Sequence, residues 1–412
     1  MSGTKNALTE WRSFWFLPLM GALGYATSVL HVYSLGPFIA PLQAEFGWSR
    51  ALISFGLTVS SVLSAILCVP VGMLVDRVGP RRVALVGIVL MCGAFSLLGT
   101  ATGEKANWYA LWAVIAVGTF GVQATVWTSA VASRFEKSRG MAFAIALSGG
   151  SLAAAIFPLY ATWAIEAFGW RRAYPAMAAA WGVPVFILMV LLFRGAHDHR
   201  TARVASQATA TGVSLAEGVR SSAFWRLLMA SAFFAFTTIG VTVHFVPILT
   251  DKGVETLDAA GVAALIGIFS VVGRLGTGFL IDRFAAHKVG AVIFLIPLLS
   301  CTLLLGDIGG RPGQMLAAAI FGLTLGAEVD VIAYLATRFF GLKNFGALYG
   351  AMVMALSLGT AFGPLAAGAV FDANASYTPF LYLTMILMST AALSLATLGR
   401  PPALTASPAT AQ

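Results

Sequence analysis

Charge is the scarcest commodity in this 412-residue chain: Asp, Glu, Lys and Arg together make up 10% of it, and only 16 residues are acidic. A soluble domain carries about 25% charged residues because it must cover its surface with solvated groups. A soluble globular protein is therefore excluded. Cysteine is almost absent as well. The three that occur, Cys68, Cys92 and Cys301, each lie inside an apolar run, with no histidine or second cysteine nearby. A disulfide framework and a metal site both fail on that spacing. There is no His-Glu-x-x-His, no phosphate-cradling glycine loop and no Ser/His/Asp grouping, so the chain is not expected to be an enzyme or to need a cofactor.

What is abundant is apolar surface. Hydrophobic residues make up 59% of the chain, with 29 Phe, 10 Trp and 43 Gly, and mean hydropathy is +0.87. A run of about 20 apolar residues can cross a bilayer, and glycine lets membrane helices approach closely. The sequence holds twelve such runs, near 14–40, 51–75, 83–101, 108–133, 141–165, 173–193, 224–249, 259–281, 289–306, 313–337, 345–371 and 377–398. They predict an all-α membrane protein. The first run lacks a small-residue cleavage site and is expected to be a retained helix, not a signal peptide. The longest polar stretch falls at mid-chain, giving a division into a six-helix bundle over 1–193, a linker over 194–223, a second bundle over 224–400 and a disordered tail over 401–412.

The net charge of +9 suggests nucleic acid until the basic residues are placed. They lie in short loops between apolar runs, the arrangement of a membrane protein. Arg50, Lys105, Arg171, Arg172, Lys252 and Arg311 fall on one side and Arg274 inside a span, which leaves eighteen of the 25 on the other side. The positive-inside rule then puts both termini in the cytoplasm, as for a multi-pass protein of a bacterial inner membrane. No partner beyond lipid, substrate and proton is implied, and a monomer is expected.

The two halves resemble each other. Gly72-Met-Leu-Val-Asp76-Arg77-Val-Gly79-Pro80-Arg81-Arg82 returns, degraded, as Gly278-Phe-Leu-Ile-Asp282-Arg283, 206 residues later. Parallel repeats of this kind place a substrate site at their interface, near the bilayer midplane. The loop around Gly72, Asp76, Arg77, Gly79, Arg81 and Arg82 is similar to the signature loop of the major facilitator superfamily, with Asp282 and Arg283 as its partial second copy. The resemblance implies two pseudo-symmetric six-helix bundles, transport by alternating access, and a cytoplasmic latch at these residues. Within that superfamily the chain looks like the oxalate/formate and monocarboxylate transporter branch. That likeness rests on Tyr33-Ser34-Leu-Gly36, Phe46-Gly47-Trp48-Ser49-Arg50, Ser138-Arg139-Gly140, Gly169-Trp170-Arg171 and Gly273-Arg274. It implies that Arg274 holds a substrate carboxylate. Animal members of the branch carry an aspartate one turn before this arginine, where this chain has Ser270.

Three charges lie within spans: Arg274 on the eighth, Glu328 and Asp330 on the tenth. Arg274 stands eight residues before Asp282, and Asp330 eight before Arg338, which at 1.5 Å per residue is roughly 12 Å into the membrane for both. Ionisable groups at that depth mark substrate or proton routes. A guanidinium there suits bidentate contact with a carboxylate, and a buried carboxyl group can carry a proton. A permanent ion pair bracing the second half is the structural alternative. Glu328 and Asp330 point in nearly opposite directions on a helix. Asp330 shares a stripe with Gly322, Gly326, Tyr334 and Arg338, and Glu328 with Phe321, Thr324 and Leu335. Glu328 is preferred as the cavity acid. Gln123 and Trp127 on span four, Tyr33 and His31 on span one, Ser270, His244 on span seven and Tyr334 complete the candidate substrate-binding set.

The expected function is proton-coupled symport of a small organic anion, a monocarboxylate in particular. Anion exchange needs no protonatable acid and is the alternative. Drug or cation efflux is disfavoured by a midplane arginine, and a receptor by the lack of room for a soluble signalling domain.

Overall fold

The computed structural model describes residues 7–132, 134–135, 138–193, 212–281, 283–341, 344–399 and 401, without the side chains of 7–9, 67–73, 76–77, 132, 139–140, 328–330 and 345–346. All but the first residue of the expected tail over 401–412, and most of the linker, lie outside these residues. Among the described residues the chain is helical, with no strand beyond an isolated bridge between Gly212 and Gly341.

Eleven helical segments are long and apolar enough to cross a bilayer: Phe16–Phe46, Pro80–Thr100, Lys105–Val131, Met141–Phe168, Trp170–Leu192, Ser222–Thr250, Thr256–Ile281, Ala286–Gly306, Gly310–Phe340, Ala347–Asn374 and Thr378–Ala396. The remaining run, span two, falls on the 29-residue helix Arg50–Val78. All twelve runs of the sequence are thus met by helix. The eleventh helix begins slightly earlier, at Phe345.

Sequence explains where helices stop and bend. Ser49 caps span two, its Oγ accepting the Leu52 N–H at 3.2 Å. That helix ends at Gly79, whose φ of +90° is open to glycine at little cost. Pro80 then starts span three at the position where its missing N–H costs nothing. Span one is interrupted at Val29 between helices Phe16–Ser28 and Leu30–Phe46. Span four passes through a tighter 3-10 turn, Thr119–Gly121.

The chain divides into two compact units, Met1–His199 with Val243–Gly267, and Arg200–Thr242 with Ile268–Gln412. Chain order alone puts spans seven and eight wholly in the second half. Packing groups the end of span seven and the start of span eight with the first six spans.

In the first unit, Trp48, Trp108 and Trp112 form a series, the first pair tilted at 5.3 Å and the second edge-to-face at 5.7 Å between centroids, and Phe38 stacks on Tyr174 at 3.9 Å. Glycines let helices meet backbone to backbone: Gly87 on Gly121, Gly99 on the Arg171 carbonyl, Gly149 on the Ala22 carbonyl. Such contacts replace the hydrophobic drive that is missing between helices in lipid.

The second unit packs around Phe234, Phe294, Val331, Leu335 and Met388, with Gly359 and Gly363 of span eleven against Ala232 and Phe236 of span seven. Its entry strap is a short helix, Leu215–Arg220, started by a capping box in which Ser214 and Glu217 satisfy each other's backbone N–H groups. The Ser-x-x-Glu spacing accounts for this helix inside what otherwise reads as a polar linker. Val213 ties the strap down, donating to the Phe340 carbonyl at 3.0 Å and accepting from Asn344 Nδ2 at 2.9 Å.

Candidate functional site

Span eight carries Ser270, Gly273 and Arg274 within two turns, and span ten carries Leu323 and Gly326. A side chain at Gly273 would collide with the Leu323 carbonyl, and one at Gly326 with the Ser270 carbonyl and the Arg274 amide. The two helices therefore touch main chain to main chain at the level of the arginine. Ser270 is fully buried there, and Arg274 is half-buried. The Gly-Arg pair in the sequence thus has a mechanical sense: the glycine permits the close approach, and the next residue is presented from a rigid backbone. Gly326→Val is expected to force the helices apart, at a cost of at least about 1–3 kcal/mol, as for an overpacked core. Thermal unfolding of the purified variant in detergent measures that loss.

One turn beyond Gly326, the helix continues unbroken through Glu328 and Asp330, whose side chains lie outside the described residues. Their stripes can be compared. Gly326, on the Asp330 stripe, meets span eight. Phe321, Thr324 and Leu335, on the Glu328 stripe, are all buried, and Thr324 Oγ1 donates to the Ile293 carbonyl of span nine at 3.4 Å. Tyr334 is partly buried against the second unit's core.

The candidates in the first unit are scattered. Gln123 Nε2 donates to the Ser64 carbonyl at 3.4 Å, beside a 2.8 Å hydrogen bond between the Ser64 and Thr119 hydroxyls. Trp127 has no exposed surface: its indole N–H donates to the Val122 carbonyl at 2.8 Å and its ring lies against Gly24 and Phe193. In this conformation it is packing and not a cavity wall. Tyr33 is half-buried on span one. His31 is buried edge-on to Trp112, with centroids 5.9 Å apart. His244 is buried with Nε2 3.2 Å from Ser54 Oγ.

In the loop between spans two and three, the expected latch, Gly79 makes the turn described above, Arg81 donates to the Val190 carbonyl at 2.6 Å, and Arg82 is exposed. In the second copy Arg283 lies over the Phe279 ring at 3.4 Å. Asp282 and the side chains of Gly72, Asp76 and Arg77 lie outside the described residues.

The short motifs on the other side acquire definite jobs. Gly47 ends span one in the left-handed region at φ +65°, Trp48 donates to the Gly103 carbonyl at 3.2 Å, and Ser49 caps span two. Glu45 accepts from Trp170 Nε1 at 2.5 Å and from Arg171 Nη2 at 2.6 Å, which accounts for Gly169-Trp170-Arg171. Sequence reasoning missed the strongest pair. Arg50 Nη1 and Nη2 donate to the two carboxylate oxygens of Asp251 at 2.7 and 2.9 Å, while its Nε donates to Gln43 Oε1 at 3.0 Å. One turn further into span two, Ser54 meets His244, and Gly36 of span one lies against the Val243 carbonyl. Nothing in the sequence joins residues 201 positions apart. A second missed contact is Glu10, buried on a short N-terminal helix and accepting the Ser138 N–H at 3.1 Å.

No group of three or more His, Cys, Asp or Glu suited to a metal occurs among the described residues.

Comparison with known proteins agrees with this architecture. Residues 21–328 match the family model of the Major Facilitator Superfamily. An uncharacterized MFS-type transporter, YhjX of Escherichia coli, is 26% identical over 379 residues, covering 87% of this chain and 88% of the relative. A gallate transporter of Pseudomonas putida is 25% identical, over 78% of this chain and 81% of its own. Monocarboxylate transporter 13 of Bos taurus is 23% identical, over 84% and 80%. A family match over three-quarters of the chain, on twelve helical runs with a repeated loop, makes this protein a member of the major facilitator superfamily and hence a secondary transporter, not an enzyme.

Proposed function

We propose that this transporter moves a small organic anion, a monocarboxylate in particular, together with a proton, from the side with few basic residues into the cytoplasm. The observation that carries the reading is Arg274: a guanidinium at membrane depth, on a backbone held rigid by Gly273 and Gly326. An arginine there must meet water or an anion, because hydrocarbon penalises it by at least about 2.5–3.5 kcal/mol on insertion scales. The names of two relatives, a gallate transporter and a monocarboxylate transporter, support a carboxylate as that anion.

The proton carrier is Asp330 in preference to Glu328. What supports this choice is that Gly326, four residues before Asp330, meets span eight, whereas Phe321, Thr324 and Leu335, which share a stripe with Glu328, are buried. This reverses the order expected from sequence. An anion neutralises Arg274 and a proton neutralises Asp330. The loaded site then has less charge to desolvate when the carrier changes its access.

Proteoliposomes with and without an inward proton gradient test the coupling. Wild-type uptake of a labelled carboxylate is expected to rise with the gradient, and Asp330→Asn to lose that response while keeping anion exchange. Gradient-driven uptake that persists in Asp330→Asn but fails in Glu328→Gln returns the role to Glu328. Indifference of the wild type to the gradient establishes the exchanger.

A further inference from the structure

A cavity of about 150 Å³ opens between spans two, three and four, lined by Leu74, Val78, Arg82, Val86, Leu90 and Phe120 among others. None of its lining residues belongs to the candidate anion site, although Arg82 is also a residue of the expected cytoplasmic latch. Arg82, Val86 and Leu90 stand four residues apart and so share one face of span three. Leu74 and Val78, also four apart, supply the facing wall from span two. The floor is deep because Gly87 and Gly121 bring spans three and four together backbone to backbone. From Arg82 to Leu90 the groove runs about 12 Å along the helix. Its walls are apolar and face outward: Val86 is 59% and Leu90 46% exposed, surface that a bilayer covers with acyl chain.

Among the described residues the one charged side chain of the lining, Arg82, sits at one end. Arg81, its neighbour, is held by the Val190 carbonyl, whereas Arg82 is exposed. That end belongs to the side with eighteen basic residues, the cytoplasmic side by the positive-inside rule. A cation above an apolar slot of this length is complementary to one kind of molecule in its surroundings.

We propose that the groove binds one anionic phospholipid of the inner leaflet, its phosphodiester on the Arg82 guanidinium and the upper part of one acyl chain along Val86 and Leu90 against Leu74 and Val78. A guanidinium fork matches phosphate oxygens in pairs, and a zwitterionic lipid would bring its own cation to the same spot. The proposal does not depend on Arg274 or on which anion the carrier moves.

Native mass spectrometry of the detergent-purified full chain tests this, with palmitoyl-oleoyl phosphatidylglycerol and the phosphatidylcholine of the same chains added in equal amounts. One phosphatidylglycerol is expected to survive activation that strips phosphatidylcholine. Arg82→Ala should lower that preference roughly fivefold, the worth of one basic residue beside an anionic headgroup. Val86→Trp, which fills the slot and keeps the charge, should remove the retained lipid of either kind. Arg283→Ala, which deletes another exposed arginine on that side, should not change the lipid preference. Equal retention of the two lipids overturns the proposal, as does an Arg82→Ala or Val86→Trp variant that binds like the wild type. So does an Arg283→Ala loss as large as that of Arg82→Ala, which would make the effect bulk surface charge. Elution of each variant as a single symmetrical peak separates lost binding from lost fold.

Discussion

Arg274→Ala is expected to lower uptake efficiency for a carboxylate by about 30-fold to several thousand-fold, the loss that follows when one partner of a buried charge pair is removed. The effect is large because the alternative partners are poor. Without the guanidinium the substrate anion enters a low-dielectric site with no compensating charge, and each unpaired charge there costs several kcal/mol. Arg274→Lys keeps the charge but loses the planar fork, so it should recover only part of the efficiency. A purely structural arginine predicts a different pattern: Arg274→Ala would lower thermal stability, and a panel of organic acids would stabilise variant and wild type alike. The measurement is thus a thermal-shift screen of aliphatic and aromatic acids on both proteins, alongside labelled uptake into proteoliposomes. Stabilisation by an acid that survives Arg274→Ala would remove the arginine from the binding site.

The second large effect concerns Arg50 and Asp251. Arg50 is 8% exposed, and its guanidinium is engaged on two sides, by both Asp251 oxygens and by Gln43. Removing one partner of a well-buried pair costs about 3–5 kcal/mol; the Asp251 side chain is 32% exposed, so water recovers part of this. A cost of about 2 kcal/mol still corresponds to a population change of roughly 30-fold. The pair clamps the start of span two to the end of span seven, with Ser54 and His244 one layer beneath. Asp251→Asn is therefore expected to loosen this seam. With Cys68, Cys92 and Cys301 replaced, a cysteine at Ser54 should react with a membrane-impermeant thiol reagent at least tenfold faster in Asp251→Asn than in its parent. The exchanged pair, Arg50→Asp with Asp251→Arg, should slow the reaction again. Unchanged labelling in Asp251→Asn would show that other contacts, Gly36 on the Val243 carbonyl among them, hold the seam without the ion pair.

Much of this protein can be read directly from its residues. Twelve apolar runs became helix because a chain in lipid has no other way to satisfy its backbone. Gly79-Pro80 marked a turn because only a glycine followed by a proline suits that helix-to-helix step. Arg274 stood out because charge is so scarce here that a single one inside a span is conspicuous. The short helix after Ser214 was not foreseen: that stretch reads as linker, and the capping box that starts it stands out only once the helix is seen.

What could not be read is who meets whom. Glu328 and Asp330 differ by two positions, and sequence offers only their stripes; that Gly326, on one of those stripes, meets Ser270 and Arg274 of span eight is a fact of packing alone. Trp127 has the composition of a cavity wall, but Gly24 leaves a slot that its ring fills. Arg50 and Asp251 each look like ordinary loop charges until the fold closes a gap of 201 residues between them. Local sequence decides helix, depth and termination, because those depend on neighbours within a few residues and on the solvent. Facing and pairing depend on how each helix is rotated against distant ones, and that is settled by packing alone.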